Sequence, residues 1–175
     1  MIINFLRTNK VCTALLTIIR VWLGYNWTID GFQKITSQFS AHGFINNAIA
    51  HPVQSPTGFA FPWYTAFLKL MTGNGAHTAM FSFLVSWGEL LVGLGLLFGT
   101  LTLLAAFFGL FLNFAYLLAG TVSINPTYII LEFIILLGGF NSAKIGLDYW
   151  VTPFFRNLIG NRHHGKDLDF NRVMK

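Results

Sequence analysis

The chain has 175 residues, of which 54% are hydrophobic and 17% aromatic, and only 10% are charged; its net charge is +5 and its mean hydropathy +0.61. A soluble domain carries about a quarter charged residues, so this composition argues against an ordinary soluble enzyme and indicates an integral membrane protein. The lone cysteine, Cys12, excludes an internal disulfide and any dithiol chemistry on the chain's own thiols.

The first apolar segment follows Arg7 and Lys10. Arg20 interrupts it and no small-x-small cleavage pattern follows, so it reads as a retained helix rather than a signal peptide. It predicts a membrane span over 11–31. Residues 36–76 form a long outer loop with an aromatic, apolar stretch, SPTGFAFPWYTAFLKLMTGNG. Within it, 62–71 predicts a short helix at the membrane interface, with Trp63 and Tyr64 at headgroup level. That helix is either a lid over an outward-facing cavity or an anchor.

Spans two and three are expected over 77–98 and 101–119, with only Gly99 and Thr100 between them for a tight antiparallel hairpin. The turn GTVSINP then leads into a fourth span over 127–147, with Pro126 placed to begin it. Residues 1–150 thus make an all-α, four-helix membrane domain, and 151–175 a basic, mobile tail attracted to anionic lipid. Basic residues flank the start of the first span and the end of the fourth, while the loop holds only Lys69 and, just before it, Lys34. Both termini are therefore expected to be cytoplasmic.

Ionisable groups inside a span cost roughly 2.5–3.5 kcal/mol each on the lenient insertion scale and usually face the bundle interior. Arg20, Glu89 and Glu132 are of this kind, and Asn113 joins them. At 100° per residue Arg20, Gly24, Trp27 and Gly31 share a stripe with Lys34 close by; Gly109, Asn113, Tyr116 and Gly120 form another. Glu89 shares a face with Gly93, and Tyr128 with Glu132. The rise of 1.5 Å per residue puts Arg20 and Glu89 both about 17–18 Å from the outer ends of their spans, and Glu132 and Asn113 about 8–9 Å. Two polar layers are expected: a deep Arg20–Glu89 ion pair, with Arg20–Glu132 as the alternative pairing, and a shallower Glu132–Asn113 layer lined by Tyr116 and Tyr128. Trp27, Asp30 and Lys34 would shape the mouth. Such a set is either a functional cavity or a clamp that fixes the bundle. The five histidines give no metal-ligand spacing, and no haem or phosphate-loop signature is present.

The pattern of Arg20, Gly24, Gly31 and Lys34 resembles the first-span signature of the DoxX/DoxD-like membrane proteins. Glu89 with Gly93, and Asn113-Phe114 followed by Ala119-Gly120 and Asn125-Pro126, are similar to the family too. The resemblance implies four helices and a membrane subunit related to thiosulfate:quinone oxidoreductase. It implies electrons passing from thiosulfate or another sulfur compound to quinone, and partner subunits. In that setting Arg20, Glu89 and Glu132 would be the catalytic set. Trp27, Lys34, Asn113, Tyr116 and Tyr128 would contact the quinone. The expected partners are the cell-membrane bilayer and a redox protein or second copy of the chain, not nucleic acid. Two other readings stand beside it: a non-enzymatic protein that binds or transports a small molecule or lipid, and an assembly subunit of a membrane complex.

Overall fold

The computed structural model describes residues 2–154. The chain is mostly helical, in the order α1 (Ile2–Thr8), α2 (Lys10–Thr36), α3 (His42–Ala50), β1 (Gln54–Ser55), β2 (Gly58–Phe59), α4 (Pro62–Thr72), α5 (Ala79–Phe98), α6 (Thr102–Leu118), α7 (Asn125–Gly138) and α8 (Phe140–Ala143). The four long helices α2, α5, α6 and α7 pack together. Buried Leu23, Trp27, Val92, Leu96, Ala106, Tyr128 and Ile135 form the core between them. Among the described residues α5, with 20 residues and a mean hydropathy of 1.8, is the one helix long and apolar enough to cross a membrane; α6 and α7 are apolar but shorter.

The antiparallel α2–α5 pair is the spine of the fold. A Cβ on Gly24 would strike the backbone of Leu97, one on Gly31 the backbone of Leu90, and one on Gly93 the backbone of Thr28. Small residues let the two backbones touch, and these contacts fix the register. Glu89 lies opposite Gly31 and Arg20 opposite Gly99.

Helix boundaries differ from the expected ones in two places that matter. The first long helix runs on to Thr36 rather than ending at 31, which lowers every residue on it by about 7 Å relative to the loop end. The last is not one span over 127–147. It breaks after Gly138, where Gly139 takes φ 56 and ψ −137, a conformation open to glycine, and a four-residue helix and a bend follow.

The 36–76 segment holds more than one helix. The expected helix is present as α4, started by Pro62 at its first turn and ended by Gly73 in the left-handed region. Helix α3 and the small antiparallel β1–β2 ladder, Gln54 with Phe59 and Ser55 with Gly58, precede it. Together they cap one end of the bundle, called the loop end below. Tyr64 is not outward: its hydroxyl donates to the Ala115 carbonyl oxygen of α6 at 3.0 Å.

The other end, the hairpin end, holds the α5–α6 turn, α1 and α8. Asn9 breaks the chain between α1 and α2, and its side chain accepts from the Val11 and Cys12 amides. Buried Asn141 bonds the Leu6 and Asn9 carbonyls and accepts from Thr13 Oγ1 at 2.7 Å. Arg7 Nε donates to the Leu137 carbonyl, in the last turn of α7, where a cation suits the helix dipole. Most of the basic tail, residues 155–175 with His163 and His164, lies outside the described residues.

Candidate functional site: three polar layers along the bundle

Nearest the loop end lies Glu89, almost fully buried on α5. Lys34 Nζ donates to its Oε2 at 2.5 Å, and the Tyr116 hydroxyl donates to Oε1 at 2.6 Å. The Lys34 side chain is 28% exposed, the Glu89 side chain 3%. The ammonium also lies over the Phe39 ring, 5.7 Å from its centroid. Phe44 of α3 meets Tyr116 edge-to-face at 6.1 Å, so the loop cap covers this layer directly.

In the middle, Glu132 of α7 is wholly buried. The Trp27 indole N–H donates to its Oε1 at 3.1 Å, and Asn113 Nδ2 donates to its Oε2 at 2.9 Å. A Cβ on Gly109 would collide with that carboxylate, so glycine is what lets the acid press against α6. Tyr128 packs its ring against Trp27 and Trp22, with centroids 5.8 and 5.7 Å away.

These layers share a plan. Each is one carboxylate held by a donor from α2 and a donor from α6: Lys34 and Tyr116 for Glu89, Trp27 and Asn113 for Glu132. The α2 donors are a heptad apart and the α6 donors three residues apart, spacings that keep them on one helix face.

The third layer closes the hairpin end. Arg20 is buried to 2% exposure. Its Nη2 donates to the Ile145 carbonyl at 2.6 Å and its Nη1 to Thr102 Oγ1 at 3.4 Å. Gly99 and Gly146 leave the room that its guanidinium fills. Asp148 accepts from the amides of Leu101 and Thr102 at 2.7 and 2.8 Å, capping the N-terminus of α6. Its charge also acts on Arg20.

The expected Arg20–Glu89 pair is therefore not formed, and Glu89 takes Lys34 instead. The equal depths assumed for Arg20 and Glu89 fail because the first long helix continues to Thr36. Counted from that end, Arg20 lies about 24 Å down and Glu89, from Ala79, about 15 Å. The Glu132–Asn113 contact is present, and Trp27 belongs to that layer rather than to a mouth. Tyr116 belongs to Glu89, while Tyr128 remains beside Glu132 through Trp27.

Helical spacing within the spans does not single out Asp148. One signal pointed to it. The α5–α6 turn ends in Leu101, which has no oxygen with which to cap α6, so the first amides of that helix need an acceptor from elsewhere. Among the described residues no three His, Cys, Asp or Glu side chains gather as a metal site would require.

An apolar groove of about 750 Å³ runs along α5 and α6, from Leu84 and Gly88 to Phe98 and Leu101. Its floor includes Gly95 and Ala105, and Val92 separates it from the Glu132 layer.

The architecture defines a mostly helical bundle with buried, layered charge. No protein-family model matches the chain, and no curated protein or solved structure matches it significantly.

Proposed function

We propose that this chain is a multi-pass membrane protein acting as an oxidoreductase, or oxidoreductase subunit, of the DoxX/DoxD type. In this reading α2, α5, α6 and the α7–α8 segment lie in the bilayer of the cell membrane with both termini cytoplasmic. The exterior supports it. Ile18 and Phe32 on α2, Phe83 and Leu91 on α5, Phe111 on α6 and Ile130 on α7 are exposed, while Arg20, Glu89, Asn113 and Glu132 are buried. That is the inverse of a soluble surface and suits a lipid surround. Arg7 and Lys10 gather at the hairpin end, as the cytoplasmic side requires.

The reaction proposed is transfer of electrons from thiosulfate or another sulfur compound to quinone. The observation that carries it is the Lys34–Glu89–Tyr116 layer. Lys34 has three N–H donors and spends one on Glu89. The remaining donors, on a partly exposed side chain, suit a quinone carbonyl or a small anion. Bound quinone would supply the electron acceptor. Glu89, bridging Lys34 and the Tyr116 hydroxyl, would supply and collect protons there. The apolar groove, which is lined in part by Gly88, beside Glu89 in sequence, suits an apolar ligand body. The electron source is a second small substrate or a partner protein, since Cys12 is buried on α2 near the hairpin end.

Purified protein in lipid nanodiscs, given thiosulfate and a short-chain quinone, should reduce the quinone. Turnover should fall at least tenfold in Glu89→Gln. Absence of turnover with thiosulfate and with other thiols, together with no stabilisation of the fold by quinone, would overturn the reading. A second reading, an assembly subunit, is favoured by the outer face of α4, where Trp63, Phe67, Leu70 and Met71 are exposed while Thr65 and Thr72 are buried. Recovery of a partner through that face without quinone turnover would establish it.

A further inference from the structure

The two buried carboxylates differ in what balances their charge. Glu89 faces Lys34. Glu132 faces no cation among the described residues. Helix α6 carries no charged residue, α7 carries only Glu132, α5 only Glu89 and α8 none. On α2 the cations are Lys10, Arg20 and Lys34. Arg20 is bonded at the hairpin turn and Lys34 to Glu89, while Lys10 is exposed at the start of its helix. What Glu132 receives instead are two neutral N–H donors, from Trp27 and Asn113. Tyr128, one turn earlier on α7, is the neighbouring titratable group.

A second observation points to the same place. The side-chain oxygen of Asn113 is fully buried and has no hydrogen-bond partner among the described residues. A buried amide oxygen left unbonded is costly. An uncompensated carboxylate in an apolar interior is costlier still, and is relieved when it takes up a cation. The core thus holds two acceptors side by side that lack positive charge and a donor.

The identity of the missing cation follows from the packing. The indole N–H aims at Oε1, which repels a metal ion there. The carboxylate already occupies the space beside Gly109, and Val92 closes that side. Neither a coordination shell of oxygens nor an organic ammonium fits such a setting.

We propose that Glu132 is a proton-binding site, whose proton is exchanged with a water molecule that donates a hydrogen bond to the free side-chain carbonyl of Asn113. On release, the O–H bond of the Glu132 carboxyl breaks and an O–H bond forms on the water oxygen. The electron pair stays on the carboxylate, where the Trp27 and Asn113 N–H groups hold it. On return the same bonds reverse, so no oxidant or reductant takes part. The site stands whether or not the protein reduces quinone.

Infrared difference spectra of the full chain in lipid nanodiscs test this. At neutral pH the wild type should show the carbonyl stretch of a protonated carboxyl, sensitive to exchange into D2O. Glu132→Gln should abolish that band and Glu89→Gln should keep it. Trp27→Phe and Asn113→Leu should displace it, since each removes one donor; these carry the assignment if Glu132→Gln does not fold. Replacing sodium by potassium should leave the band in place. A wild type without the band, a band that survives Glu132→Gln, or one that sodium suppresses as a bound metal ion would overturns the proposal's premise and refutes it.

Discussion

Glu89 and Arg20 are both buried charges, yet their surroundings differ in kind. Glu89 is bonded to two side chains, one of them partly open to solvent. Arg20 is bonded to a backbone carbonyl and a threonine hydroxyl, with Asp148 nearby tying up the amides of the same turn. Side chains can re-pair when a ligand arrives, because rotation about a few bonds suffices. A backbone carbonyl at a tight turn cannot move without the turn. The loop-end charge is thus built to exchange partners, and the hairpin-end charge to hold three chain segments together.

The sharpest break of that contrast is Arg20→Leu. It leaves the Ile145 carbonyl and the Thr102 hydroxyl without their charged donor, and a hydrogen bond to a charged group is worth about 1.5–3 kcal/mol. Unfolding in lipid nanodiscs should show this loss, while turnover per folded molecule stays near wild type. Arg20→Lys should rescue little, because one ammonium cannot span both acceptors in the way a planar guanidinium does. Lys34→Met should do the reverse. It leaves Glu89 with Tyr116 alone, a cost of about 1–3 kcal/mol, but should abolish the proposed quinone turnover. Equal loss of turnover per folded molecule in both variants would erase the distinction.

A smaller effect is expected from Asp148→Ala, which uncaps α6 and should cost about 1–2 kcal/mol in the same unfolding measurement. Hydrogen exchange should locate the change at the Leu101 and Thr102 amides rather than at Glu89. The smallest is Tyr64→Phe, which removes the bond from α4 to Ala115 and should cost about 1 kcal/mol. Faster exchange confined to the loop cap, with the hairpin end unaffected, would mark the cap as a separate cooperative unit.

The candidate site is partly legible in the sequence. Arg20, Glu89, Glu132 and Asn113 could be picked out because charge and amide groups are rare among apolar helices, and each is buried. Helical spacing grouped Tyr128 with Glu132 and placed Lys34 near the Arg20 stripe. Pairing was not legible. It depends on axial register, and register follows from where helices end and where backbones touch. A shift of one turn changes which side chain meets which, and the end of α2 differs by more than a turn from its expected place.

Asp148 shows the other limit. It stands just past the expected fourth span, 127–147, and opens a helical stretch over 148–154. Its role arises from the break at Gly139, which turns the chain back toward the α5–α6 hairpin, where the Asp148 amide donates to the Gly99 carbonyl at 2.6 Å.

The sequence by itself determined the helical class, the long helices and the few polar residues that must be buried, because hydropathy and helical periodicity are local properties. The close α2–α5 approach at Gly24, Gly31 and Gly93 came from the structure, because small residues show that a helix can be approached but not by which neighbour. Only the tertiary structure decided which charge meets which: Lys34 with Glu89, Trp27 and Asn113 with Glu132, Arg20 with the hairpin turn. Those choices rest on the stagger between helices, set by backbone contacts far apart in the chain.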